Sequence, residues 1–118
     1  MADFGLFIGF GPPIRGRERQ GLAVFNEVTE YCTSLQQQGE IESFETVLLE
    51  LHGGDLNGFV LVRGDQGKLA SIRTSDEFVR RVIRAGLVAE GFGVVGAILG
   101  ERIGAVMGVY NEQIDELT

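Results

Sequence analysis

Val47-Leu48-Leu49-Glu50-Leu51-His52-Gly53-Gly54-Asp55-Leu56-Asn57-Gly58-Phe59-Val60-Leu61-Val62-Arg63 decides the fold. Two β-forming runs, Ile41 to His52 and Phe59 to Arg63, flank a loop of Gly, Asp and Asn. That composition specifies a hairpin, because such loops supply the tight backbone geometry that reverses the chain. Gly64-Asp65-Gln66-Gly67 closes the second strand. Everything else must be arranged around this antiparallel pair.

Toward the N-terminus, Phe4-Gly5-Leu6-Phe7-Ile8-Gly9-Phe10 reads as a strand stopped by Gly11-Pro12-Pro13. From about Arg15 to Gln38 the period changes. Leu22, Phe25, Val28, Cys32 and Leu35 recur at helical spacing, Arg19, Glu27, Glu30 and Gln37 fill other faces, and Gly39 supplies a C-terminal stop. Toward the C-terminus, a short helical turn is expected around Lys68 to Arg73. Thr74 and Glu77 then have capping-box spacing, which predicts the start of a second main helix. Its apolar stripe is Phe78, Val79, Val82, Ile83 and Leu87, ending near Gly91. Phe92 to Leu99 is a fourth strand. After Gly100, the residues Ile103, Val106, Met107, Tyr110, Ile114 and Leu117 keep helical spacing, predicting a C-terminal helix over about 101–117.

The order strand, helix, strand, strand, helix, strand, helix describes an α+β protein: a ferredoxin-like βαββαβ domain, with an antiparallel four-stranded sheet plus a C-terminal helix, spanning 1–118 as one domain. Right-handed crossovers place both main helices on one side of the sheet. The strands carry too much apolar character for the other side to face water. Val47, Leu49 and Leu51 are purely apolar and suit the helix-covered side, leaving Phe44, Thr46, Leu48, Glu50 and His52 on the other. Val95, Ala97 and Leu99 alternate with Phe92, Val94 and Ile98, so the fourth strand is apolar on both sides. A sheet open to water on one face alternates apolar and polar residues. The second face is therefore expected to be covered by the C-terminal helix or by a second copy, and a twofold homodimer is the favoured partner.

Composition sets outer limits. The 118 residues are 44% hydrophobic and 23% charged, which suits one packed core. No apolar run approaches the roughly 18 residues of a membrane span. Met1-Ala2-Asp3-Phe4 has no basic segment of the secretory kind. A single cysteine, Cys32, allows no internal disulfide and points to a reducing, cytoplasmic compartment. One His and one Cys exclude a Cys/His zinc site within one chain. The net charge of −7, from 17 acidic and 10 basic residues, suits nucleic acid poorly. The groups Arg15, Arg17, Arg19 and Arg80, Arg81, Arg84 read as solvated helix surface.

The element order, the short turn Gln66 to Arg73 before Thr74-Ser75-Asp76-Glu77-Phe78, and the doubly apolar sheet resemble the dimeric α+β barrel superfamily over about residues 4–100. The run Gly9 to Glu18 and the loop His52-Gly53-Gly54-Asp55-Leu56 resemble those of small bacterial proteins of unassigned activity. The resemblance implies two sheets packed face to face, with ligand pockets between sheet and helices or within the barrel. It also implies company ranging from cofactor-independent monooxygenases and haem-handling enzymes to small isomerases and decarboxylases. None of their catalytic signatures maps onto this chain.

His52 is the only histidine and is a candidate acid or base, with Glu50 two residues earlier to orient it. The competing reading is that His52 caps its own loop. Arg15, Arg63 and Tyr31 are the candidate ligand-binding residues, two cations and a hydroxyl. Gly9-Phe10-Gly11 is not a dinucleotide loop, since Ile14 stands where a third glycine belongs and Pro12-Pro13 lacks two N–H groups; the prolines read as setting the approach to the first helix. Cys32 reads as a buried structural thiol and Tyr110 as a rim aromatic. No metal site and no cofactor are expected. The expected function is binding of a small, partly apolar molecule. The alternatives are a cofactor-independent enzyme, monooxygenase- or isomerase-like, using His52 and Glu50, and a purely structural oligomerisation module.

Overall fold

The structure, a computed structural model, describes residues 2–118; Met1, and with it the start of the leader reading, lies outside the described residues. The elements are β1 (Phe4–Phe10), α1 (Glu18–Gln37), β2 (Ser43–Leu48), β3 (Gly58–Gly64), α2 (Gln66–Thr74), α3 (Asp76–Val88), β4 (Gly93–Ile98) and α4 (Glu101–Leu117). The strands form one antiparallel sheet in the order β2-β3-β1-β4, as the hairpin and the two crossovers require.

Register decides which side chains share a face. Leu6 pairs with Val62 and Gly96, and Ile8 with Val60 and Val94. Leu6, Ile8, Val60 and Val62 are buried against Cys32 of α1, Phe78 of α3 and Leu69 and Ile72 of α2. The opposite face carries Phe7, Val47, Phe59, Leu61, Val95 and Ala97. There the Phe7 and Phe59 rings stack at 4.9 Å, and no helix covers them.

Strand two corrects the sequence reading. It ends at Leu48 rather than His52, and its faces are inverted. Phe44 lies opposite Val62 and Thr46 opposite Val60, so these point to the helix side, while Val47 joins Phe59 on the open side. The reason is that β2 is an edge strand reaching past its helical cover: Phe44 packs on the core, yet Leu48 on the same side is 68% exposed. Of the set Val47, Leu49 and Leu51 only Val47 lies within the strand, and it stands on the uncovered face in line with Ser43 and Glu45.

The helix boundaries follow from local chemistry. Ser75, not Thr74, caps α3, its hydroxyl accepting from the Phe78 amide at 3.3 Å with Asp76 and Glu77 in the first turn. Thr74 instead ends α2, donating to the carbonyls of Ala70 and Ser71. Asp65 caps α2 through Lys68 at 3.1 Å. The prolines stand apart from the first turn of α1, which begins at Glu18. Pro13 bridges to Ala89, Pro12 accepts from the Glu90 amide at 2.9 Å, and Arg17 donates to the Leu87 carbonyl at 2.6 Å. The segment before α1 is thus a strap across the end of α3. Leu22, expected in the stripe of the first helix, is 63% exposed because Val24 and Val28 take the inward positions. On α3, Val79, Ile83 and Leu87 remain exposed as well.

Gly5 shows how tightly the sheet is built: a Cβ there would lie 2.6 Å from the Val62 carbonyl oxygen. Gly86, on the exposed flank of α3, would place its Cβ in open space. Gly5→Ala is expected to lower stability by about 1–3 kcal/mol through overpacking, and Gly86→Ala to raise it by about 0.5–1 kcal/mol through helix propensity. Urea titration of both variants reads the opposite signs.

Candidate functional site

Between the sheet and the two main helices lies a cavity of about 80 Å³. Alternation along β1 and β3 brings Ile8, Phe10 and Val60 to its floor. Val24, Phe25 and Val28 of α1 form one wall, and Ala85 and Val88 of α3 with Phe92 form the other. Small residues at Gly21 and Ala85 leave the space, while Phe10 and Phe25 meet edge to face at 5.9 Å. The helix pair is pinned by Arg84, whose guanidinium donates to both carboxylate oxygens of Glu27 at 2.9 Å. Thr29 brings the only polar side chain in the lining, and its hydroxyl is already donated to the Phe25 carbonyl at 3.1 Å. The side chains around this space offer an apolar ligand shape without a polar handle.

The handle lies next door. A smaller cavity of about 20 Å³ shares Ile8, Val28 and Phe92 with the first and adds Tyr31, Cys32, Phe78 and Arg81. Arg81 sits at the position that continues the buried stripe from Phe78 to Ala85. Its guanidinium lies 4.2 Å over the Tyr31 ring, and its Nη1 donates to the Glu77 carboxylate at 2.9 Å and to the Glu77 carbonyl at 3.0 Å. Its Nε is buried with no acceptor, alone in this among the buried side-chain polar atoms of the described residues. Such a donor costs about 1–3 kcal/mol while it stays unpaired. Sequence reading grouped Arg81 with Arg80 and Arg84 as solvated surface. Its spacing from Phe78, three residues on and on the same face, was the signal available.

The other candidates lie apart. His52 and Glu50 fall in the loop after β2, both exposed, and neither lines the cavity. Both ring nitrogens of His52 are engaged by that loop: Nε2 donates to the Leu56 carbonyl at 2.8 Å and Nδ1 accepts from the Gly54 amide at 3.2 Å. This pairing requires the Nε2–H tautomer and is the loop-capping arrangement. The same loop meets the cavity floor through its backbone, the Asn57 amide donating to the Phe10 carbonyl at 2.8 Å. Arg15 is exposed on the strap. Arg63 lies on the open sheet face, 3.5 Å from Glu45, so the sheet separates it from Tyr31. Of the three ligand candidates, only Tyr31 meets the internal space. No group of three His, Cys, Asp or Glu side chains that can hold a metal ion occurs among the described residues.

No protein-family model matches the chain, and no curated protein matches it significantly in sequence. Its fold does have solved counterparts. A dabb-family protein with a ferredoxin-like fold from Mesorhizobium loti superposes with a TM-score of 0.61 at 14% identity, over 82% of this chain and 98% of that one. A dimeric ferredoxin-like protein of unknown function from Thermobifida fusca gives 0.61 at 10%, over 81% and 91%. SnoaB, a cofactor-independent oxygenase from Streptomyces nogalater, gives 0.54 at 14%, over 85% and 96%. These likenesses show that the chain has a ferredoxin-like fold.

Cys32 closes the inner end of the smaller cavity. Burial pushes its thiol up to about 11, a rise only partly opposed by the Arg81 charge. The folded protein therefore holds this proton more tightly than the unfolded chain does. Stability is unaffected below the ordinary thiol range and falls as pH rises from about 9 toward 11. Chemical denaturation of the wild type and Cys32→Ala across that range is expected to show the extra loss in the wild type alone, reaching up to about 2 kcal/mol.

Proposed function

We propose that the protein is a homodimer whose sheets pack face to face and whose cavities each bind a small, partly apolar molecule carrying one hydrogen-bond acceptor. The observation that carries the reading is the pairing of an apolar cavity with a buried, unpartnered donor, Arg81 Nε, across a wall shared by Ile8, Val28 and Phe92. An apolar body fills the larger space, and an oxygen acceptor, a ketone or phenolate, satisfies Arg81. A space of about 80 Å³ holds only a few atoms, so a ring-sized ligand enters with displacement of Phe25 or Phe92. The buried thiol-form Cys32 fits a reducing, cytoplasmic setting. A proton-transfer role for His52 and Glu50 would require the loop to release the imidazole, and no other contact favours it.

Acetophenone and ethylbenzene, alike in shape and differing in the carbonyl, test the ligand reading by NMR titration. Acetophenone is expected to shift the amides of residues 8, 24, 28, 85 and 92 saturably and to bind about tenfold or more tightly than ethylbenzene, as a charged donor provides. Arg81→Met removes the difference, and Val24→Phe abolishes binding of both. Saturable shifts that survive Val24→Phe, or none at all, would refute the site.

The dimer reading rests on the open face, where half-buried Phe7, Phe59 and Leu61 and exposed Val95 lie opposite the helices α1, α2 and α3. Light scattering at micromolar concentration is expected to give at least twice the 12.8 kDa chain mass, reduced in Val95→Glu. A strict single-chain mass for the wild type contradicts it.

A further inference from the structure

Three spaces lie in a row between α1 and α3. The large cavity takes Val24, Phe25 and Val28 from α1 and Ala85 and Val88 from α3. The small void takes Val28, Tyr31 and Cys32 from α1 and Phe78, Arg81 and Val82 from α3. Farther along, a surface groove of about 600 Å³ takes Tyr31, Ser34 and Leu35 from α1 and Glu77 and Arg81 from α3, with Ser75 at the joint of α2 and α3. Positions climb along α1 while they descend along α3, which follows from two helices packed in opposite directions.

Neighbouring spaces share walls. Ile8, Val28 and Phe92 line both the cavity and the void, and Tyr31 and Arg81 line both the void and the groove. The far end of the cavity is closed differently, by backbone. Beside Val88 and Ala89, which line it there, the Gly11 amide donates to the Glu90 carbonyl and the Ile14 amide to the Val88 carbonyl, both at 2.8 Å, and Pro13 bridges to Ala89. Opening that end breaks several hydrogen bonds at once.

The partition between void and groove is instead a pair of half-buried side chains, the Tyr31 ring and the guanidinium 4.2 Å over it. Arg81 is anchored, since its Nη1 donates to Glu77, which lines the groove and not the void. Tyr31 is the member of the pair that can turn away, and a partly exposed cation–π contact holds it only weakly.

We propose that the ligand reaches the cavity from this groove, with the Tyr31 ring against Arg81 as the gate; the proposal rests on the ligand reading above. The ring swings off the guanidinium, the acceptor of the ligand meets Arg81 Nε, and the apolar body passes Phe92, the ring that stands between the void and the cavity. One arginine thus forms the fixed side of the entrance and holds the ligand behind it. Tyr31 governs passage rather than affinity.

Exchange of acetophenone on the full chain, measured by NMR relaxation dispersion, tests the route. Tyr31→Ala is expected to raise the on-rate and the off-rate together by about fivefold or more, because a gate sets the barrier and not the end states. Tyr31→Phe keeps a ring over the guanidinium, so both rates are expected to stay within about twofold of wild type. Tyr31→Leu removes the ring with less loss of bulk and gives the same comparison where the alanine variant does not fold. Rates unmoved by loss of the ring overturn the gate, as does acceleration by Phe25→Ala alone. A weaker Kd at an unchanged on-rate overturns it too, since Tyr31 would then be a binding residue. In each of these outcomes the ligand reading stands. Absence of saturable acetophenone binding to the wild type overturns both.

Discussion

The two crossover connections place α1, α2 and α3 on one side of a four-stranded sheet, and the rest of the molecule depends on that constraint. The covered side supplies the core that makes the chain fold. The uncovered side still carries apolar residues from every strand. Phe7 and Phe59 stack there, Val47 and Leu61 flank them, and an ion pair, Glu45 with Arg63, sits at the Ser43–Arg63 end of the face. An ion pair in that position leaves the centre dry and coverable.

On the covered side the two main helices do not fill the space between them and the sheet. Small residues at Gly21 and Ala85 face the floor formed by Ile8 and Val60, and the helices cannot collapse inward because the Arg84–Glu27 fork and the Arg17 strap set their separation. A void of this kind forfeits dispersion contacts around its lining. Arg81 adds an unpaired donor beside it, when a leucine there would have removed the penalty. The two losses lie at adjacent places, across a wall shared by Ile8, Val28 and Phe92.

The element order and types were legible in the sequence, because each run has a clear period and is punctuated by Gly, Pro or a capping residue. Which face of an edge strand turns inward was not. Val47-Leu49-Leu51 has the stronger apolar pattern, and pattern normally marks the core side. Here the register, Phe44 opposite Val62 and Thr46 opposite Val60, sends Val47 outward, and the strand ends before Leu49 and Leu51 can join it. The cap shifted from Thr74 to Ser75 because a second helix ends where the third begins, so Thr74 serves the carbonyls behind it. The candidate site was harder still. His52 and Glu50 drew attention as reactive side chains on one presumed strand, but the strand stops at Leu48 and the imidazole closes its own loop. Arg81 looked like surface because charge was read before spacing; its aliphatic stem and Nε belong to the buried stripe while its Nη1 reaches Glu77.

β1 connects the two faces of the sheet. Phe7 stands on the open face, while its neighbours Leu6 and Ile8 point to the core, and Ile8 with Phe10 forms part of the cavity floor. Successive residues of one strand therefore face the uncovered side and the cavity in turn. Its flanking strands hold it on both edges, through Leu61 and Val95 opposite Phe7, and Gly5 leaves no room for a side chain against Val62. A strand fixed in that way can transmit little sliding between the faces. What it does fix is the height of the cavity floor, so a cover on the open face that holds β1 flat also holds Ile8 and Phe10 in place.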